Sequence, residues 1–385
     1  MFEPFSPLPP SAEKDLAGWF DSLARGLAES QQWGRLFDLR LLQTRSRLGL
    51  PLDRRGSLDD VDEPRRGALE EGYLAACREV GALLLESGRF RDAWMYLRPA
   101  GERLRMREHL RRAAPAEQHL DELIDVALLE GVDPERGLAW LLGRQGTCNA
   151  ITTLDALQGQ LDPHDLRACA EALVRHVAAE LRGNLRGHLH RLRGSAPPDL
   201  AVRELVEQHP ELLADGSYHL DPSHLASAVR YGRLLHDRSL LSTAWELADY
   251  GRRLPADLQY PGDPPFEETF PAHCRFFDVL LERDVEAGLA YFGARAEAAA
   301  AEEAPFGPLE TWLILLCRSG RPREALDAYA RWLPRDRELS SAAPTLLELA
   351  RQGAAWERHA EICRARGDVV GFAAGELARR EDGPS

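Results

Sequence analysis

Residues 309–333, LETWLILLCRSGRPREALDAYARWL, constrain the fold more than any other part of the chain. Leu309, Trp312, Leu313, Leu316 and Cys317 follow the i, i+3, i+4, i+7, i+8 spacing of one helical face. Gly320 ends that helix, because glycine reaches the left-handed cap conformation without the steric cost of a Cβ. A second helix restarts at Pro322, whose fixed φ suits a first turn, and sets Ala325, Leu326, Tyr329 and Trp332 on one face. Two short amphipathic helices joined by a glycine turn cannot bury their apolar faces alone. The rest of the chain has to supply their neighbours.

The same pattern occurs at residues 74–104, where SGRFRDAW stands against SGRPREAL. Gly88 ends one helix there, and Ala93 and Leu97 face it from the next. With two copies on the page, the chain resembles the tetratricopeptide repeats, helix–turn–helix units of about 34 residues. Gly81, Ala93 and Ala100 match the small positions of that family in the first copy, and Ala325 and Tyr329 match in the second. Leu313 and Trp332 depart from the pattern. The resemblance implies an all-α fold, an α-solenoid of irregular hairpins, and a groove that holds a peptide or protein partner.

Other stretches echo the unit more weakly. Residues 284–296, DVEAGLAYFGARA, read as its second helix, and residues 230–254 read as two helices broken near His236. Residues 344–380 offer two or three more helices with a turn at Gly367-Asp368. At the other end, Ser11 reads as an N-cap before Leu16, Trp19, Phe20, Leu23 and Leu27, and a second helix follows from about Gln32. The middle, residues 116–193, is helical but off-period. Its long last helix starts at Pro163, is capped by Asp162, and carries Leu166, Cys169, Leu173, Val177, Leu181, Leu185 and Leu192 along one side. No stretch alternates with a period of two long enough to form a strand. These patterns divide the chain into N-terminal hairpins at 1–113, an off-period middle at 114–194 and C-terminal repeats at 195–385, with GSAPPD (194–199) as the hinge.

Charge narrows the function. The 62 acidic and 48 basic residues leave a formal charge of −14, which disfavours bulk binding to nucleic acid or an anionic membrane. Lys14 is the only lysine, a skew that codon bias in a GC-rich bacterial genome explains. Six scattered cysteines with no CxxC pair read as reduced thiols. The absence of a basic-then-apolar leader and of any ~20-residue apolar run leads to the expectation of a cytoplasmic protein.

Two stretches hold candidate chemistry. Residues 260–277, YPGDPPFEETFPAHCRFF, read as a loop stiffened by four prolines, with Tyr260, Asp263, Phe266, Glu267 and His273 as candidate binding residues. Carboxylates beside one histidine suit a general base or a hard metal site, although no second ligand motif supports a metal. The plainer reading is a crossing loop pinned by its aromatics. In GTCNAITTLD (146–155), Thr147 reads as a helix cap that leaves Cys148 and Asn149 in the first turn, where the helix dipole favours a thiolate. The plainer reading there is a capped helix start with a half-buried thiol.

His188 and His190 point about 200° apart on a helix, so they do not share a metal. His219 and His224 flank Asp221-Pro222, where Asp221 reads as an N-cap. Arg103, Arg107 and Arg111 read either as a clamp for a partner's carboxylates or as a solvated face. Nucleotide-loop, zinc-protease and nucleophile-elbow signatures do not occur, and no cofactor is expected. Two functions follow as expectations. One is a scaffold that binds a peptide or protein. The other is an enzyme or small-molecule site where residues 260–277 meet the Cys148 region in one enclosed pocket.

Overall fold

Several helices in this chain stop where one residue turns left-handed, and the next helix starts almost at once. The computed structural model describes residues 16–52, 61–113, 119–194, 200–302, 305–335, 337–340 and 343–383. Among them the regular structure is helical, with one isolated β-bridge between Pro261 and Glu268. The helices are α1 (Leu16–Glu29), α2 (Trp33–Arg47), α3 (Glu63–Glu86), α4 (Phe90–Leu97), α5 (Arg103–Arg112), α6 (Leu120–Ile124), α7 (Pro134–Leu157), α8 (Pro163–Arg193) and α9 (Val202–Gln208). They continue with α10 (Pro222–Gly232), α11 (Arg238–Gly251), α12 (Thr269–Leu280), α13 (Val285–Ala301), α14 (Gly307–Arg318), α15 (Pro322–Trp332), α16 (Leu346–Gly353), α17 (Trp356–Arg366) and α18 (Val369–Glu381). The fold is an all-α helical repeat.

The chain groups into two compact units, Met1–Gly146 with Thr153–Leu166, and Thr147–Thr152 with Arg167–Ser385. The change of unit within α7 coincides with Gly146, whose φ of 82° and ψ of 175° interrupt the helix. This grouping differs from the three segments drawn from composition. The cap expected at Ser11 and the hinge residues 195–199 lie outside the described residues.

The glycine turn found at Gly88 and Gly320 recurs where glycine is absent. After α1, α3, α12, α14, α16 and α17 the closing residue has a φ between 45° and 79°: Gln31, Gly88, Glu282, Gly320, Ala354 and Gly367. Each turn is closed by the same two backbone bonds. The Gly88 amide donates to Leu85 O and the Arg89 amide to Leu84 O, both at 3.0 Å. Gln31 and Gln32 repeat this with Ala28 O and Leu27 O, at 2.9 Å each. Ala354 and Ala355 repeat it with Arg351 O and Ala350 O, at 3.3 and 2.9 Å. This Schellman arrangement satisfies carbonyls that a helix end otherwise leaves bare, and it reverses the chain within a few residues.

Reversal brings consecutive helices together. In the first unit α1 packs on α2, α2 on α3, and α3 on α4. In the second, each helix from α10 to α17 packs on its successor, and α10, α12, α13, α15 and α16 also touch the helix after that. Close approach needs small residues at the crossings. A Cβ on Gly81 would fall 2.6 Å from Leu97, while Ala93 and Leu97 are fully buried.

Arginines tie neighbouring hairpins by bonding carbonyls at helix ends. Arg318 of α14 donates to Arg233 O at 2.8 Å and to Leu235 O at the end of α10. Arg238 donates to Leu281 O after α12 at 2.8 Å, and Arg323 to Gly353 O of α16 at 2.9 Å. Arg366 of α17 reaches Leu333 O at 3.1 Å and Arg337 O at 2.9 Å.

The long helix α8 follows the expected register, with Cys169, Leu173, Val177, Leu181 and Leu185 buried. Its last expected core position is corrected by the structure: Leu192 is 55% exposed and Leu189 is buried instead. The Asp162 cap is present, its carboxylate accepting the Asp165 amide at 2.8 Å.

The left-handed turns make a stability prediction. A side chain in that conformation costs about 1–2 kcal/mol, whereas glycine adopts it freely at some entropic cost in the unfolded chain. Ala354→Gly and Gln31→Gly are therefore each expected to stabilise by roughly 0.5–1 kcal/mol, and Gly320→Ala to destabilise by about 1 kcal/mol, in urea unfolding. Equal midpoints for all three variants and the parent would contradict the assignment of the turns.

Candidate functional site

Only the first half of the proline-rich stretch is a loop. From Thr269 onward it is α12, so His273 and Cys274 belong to a helix and the expected loop is corrected to residues 259–268. The Phe266 amide donates to Asp263 O at 2.7 Å and the Gly262 amide to Glu267 O at 3.2 Å, which folds the loop onto itself. Thr269 Oγ1 donates to Tyr260 O at 2.7 Å and fastens the loop to the start of α12. The Pro264-Pro265 peptide is cis.

This closure turns Phe266 inward. Its ring is 4% exposed and stacks on His273 at 4.2 Å between centroids, with Phe292 of α13 at 5.6 Å and Phe276 at 5.9 Å. The guanidinium of Arg233 lies 4.6 Å from the same ring. His273 is 3% exposed, and its Nδ1 lies 2.6 Å from Thr269 O one turn back. A carbonyl only accepts, so Nδ1 carries the proton and Nε2 is a bare lone pair with no partner among the described residues. Burial, with Arg233 and then Arg230 nearby, pushes this imidazole down to about 3, so it is neutral at physiological pH. Burial likewise pushes the Cys274 thiol up to about 12.

The five loop candidates therefore do not converge. Phe266 and His273 are sealed in the core, while Tyr260, Asp263 and Glu267 face solvent. The aromatics pin the loop, as the plainer reading has it, and His273 has no path to a substrate's proton.

The second stretch is also rearranged. Thr147 does not cap its helix. Its hydroxyl donates to Glu180 Oε2 at 3.0 Å and lies 3.2 Å from His176 Nε2, both on α8. Gly146 supplies the break instead. Cys148 and Asn149 are exposed, which corrects the half-buried thiol expected. The loop's partners come from α10, α12, α13 and α14, and those of Thr147 from α8, so the two stretches do not build one pocket.

The arginine stripe of α5 has a role that neither expectation covers. Arg111 Nε donates to Asp133 Oδ2 at 2.7 Å, Arg107 Nη2 to Asp165 Oδ1 at 2.9 Å, and Arg103 pairs with the other Asp165 oxygen. Arg107 also donates to Val132 O at 2.8 Å. Asp133 and Asp165 are 1% and 5% exposed. The carboxylates that the stripe clamps are the chain's own. Asp162, His164 and Asp165 bring ligand atoms within 4.8 Å of one another, but both Asp165 oxygens are already held by arginine.

Sequence reasoning missed one surface feature. Trp33, Arg35, Arg89, Met95 and Tyr96 line an open depression of about 590 Å³ on the first unit. Met95 is 70% exposed there, on the side of α4 opposite the buried Ala93, Trp94 and Leu97. Amphipathic spacing reports the buried face of a helix and carries no signal for an apolar residue on the other. Comparison with protein-family models, with curated proteins and with solved structures gives no match.

The α5 clasp carries the next prediction. Removing one member of a buried pair strands the other charge, at a cost of roughly 3–5 kcal/mol when both are dry. Arg111 keeps half of its side chain in water. Asp133→Ala is therefore expected to cost about 2–3 kcal/mol in urea unfolding. Asp121→Ala, which removes an exposed pair with Arg144, is expected to cost under about 1 kcal/mol.

Proposed function

We propose that the chain is a protein-interaction scaffold of the tetratricopeptide-like kind, holding a peptide or protein partner on the surface of its helical hairpins. The observation that carries this reading is the Trp33–Met95–Tyr96 depression. Met95 is largely exposed beside two aromatics that are themselves mostly covered, and arginines stand at the rim. A thioether among aromatic faces is an adaptable contact for an apolar partner side chain. The hairpin stack supplies a rigid platform for it, because each helix is braced by its neighbours. Support for the alternative, an enzyme or small-molecule site at residues 260–277, is thinner, since Phe266 and His273 are spent on the core.

The test is crosslinking in cells of the source organism with the full chain, a Met95→Glu variant and a Val370→Glu control at another exposed apolar position. Met95 is exposed, so the variant is expected to fold with a urea midpoint within about 0.5 kcal/mol of the parent. A defined partner should be captured by the parent and the control and lost by about tenfold or more in Met95→Glu. Equal capture by all three, or capture by none, contradicts the reading.

A further inference from the structure

His188 and His219, singled out in sequence for separate reasons, meet in the second unit. His219 lies between the short 3₁₀ turn Pro210–Gly216 and α10, and every polar atom it has is engaged. Its backbone amide donates to Tyr250 Oη of α11 at 3.0 Å, and its carbonyl accepts Asn184 Nδ2 of α8 at 2.7 Å. Its ring places Nδ1 3.0 Å from Tyr250 Oη and Nε2 2.8 Å from His188 Nδ1 on α8.

The protons in this chain of contacts follow from one buried hydroxyl. Tyr250 is 1% exposed and burial pushes its phenol up to about 12, so it keeps its proton. Its oxygen already accepts the His219 amide, and among the described residues the acceptor within reach of its O–H is His219 Nδ1. Nδ1 is then the lone pair, Nε2–H donates to His188 Nδ1, and His188 carries its own proton on Nε2. Every link in that arrangement has one donor and one acceptor.

Acid breaks the arrangement. A proton added to His188 Nδ1 sets two N–H groups against each other. Relief requires the protons to shift along the chain until the Tyr250 O–H turns away with no acceptor, in a buried place. A second proton has no accommodation at all. We propose that His188, His219 and Tyr250 form a proton-controlled latch, which ties α8 and α11 to the segment entering α10 at neutral pH and lets that segment go in acid.

The surroundings fix the direction. Burial, then His188, then Arg191 of α8 push His219 down to about 4, from an ordinary 6.5. α11 contributes Tyr250. Two carboxylates close in the chain are occupied elsewhere: Glu211 pairs with Arg193 and lies 3.7 Å from His209, and Asp221 caps α10 through the Ser223 amide beside His224. A group that binds its proton less tightly when folded gives up stability as the pH falls. The latch is thus fully closed above about pH 6.5 and opens progressively towards pH 4.

Amide hydrogen exchange on the full chain, corrected for the intrinsic pH dependence, tests this. Between pH 7 and pH 5 the protection of the His219 and Leu220 amides should fall about tenfold more than that of the α13 amides. In His188→Gln, whose amide oxygen still accepts from Nε2–H, neutral protection should stay within a few-fold and the extra acid loss should shrink. An unchanged acid loss in that variant, or no extra loss in the parent, overturns the latch. Should the variant not fold, NMR titration of the parent decides: His219 titrating near 4 supports the latch, and near 6.5 overturns it.

Discussion

The left-handed closing residue with its two backbone hydrogen bonds is the constraint on which the rest of this structure depends. A helix end exposes four carbonyls, and a chain of many helices must satisfy them repeatedly. The Schellman turn does so locally and sets the next helix antiparallel to the last. Where the turn is short, as after α1, α3, α12, α14, α16 and α17, the next helix packs directly on the last. Arginines complete the accounting by reaching across hairpins to the carbonyls that remain, as Arg318 and Arg366 do. The planar guanidinium fork reaches two carbonyls from one side chain, which an ammonium does less well. An arginine excess read first as codon bias therefore also has structural work in this fold.

The same economy governs the residues that looked like chemistry. Thr147, Asp133 and Asp165 each attract attention as polar groups in unusual company, and each is used to hold helices together, while His273 bonds within its own helix and stacks on Phe266 in the core. A buried polar group demands a partner, and in a stack of short helices that partner usually sits on the neighbouring hairpin. Surface chemistry is left to what the packing does not consume. The exposed Met95 on the first unit is such a residue, and the proposed His188–His219 latch is a joint whose strength depends on pH.

Much of the fold was legible from residues and their spacing. The hairpins around Gly88 and Gly320, the break near His236, the caps at Asp162 and Asp221 and the face of α8 all follow from helix periodicity and end signals. The wider repetition was not, because Gln31, Glu282 and Ala354 occupy the position that glycine marks elsewhere. The same two backbone bonds close the turn there without glycine, and a signal based on glycine cannot see it. The site was less legible still. Proline density suggested a loop through Phe277, but Pro271 sits in the first turn of α12, where its missing amide costs nothing. The partners of His188 and of Arg111 lie 31 and 22 residues away, on other elements. Spacing along one helix has no bearing on such pairs.

The three non-glycine turns are where the common turn geometry is most directly measured. Backbone coupling constants and Cα and Cβ chemical shifts at Gln31, Glu282 and Ala354, in the deuterated full chain, report φ directly. Positive φ at all three, with slow exchange of the following amides of Gln32, Arg283 and Ala355, is the predicted result. Ordinary right-handed values at any of them would mean that its hairpin closes in another way, and the common turn that unites the fold would be lost.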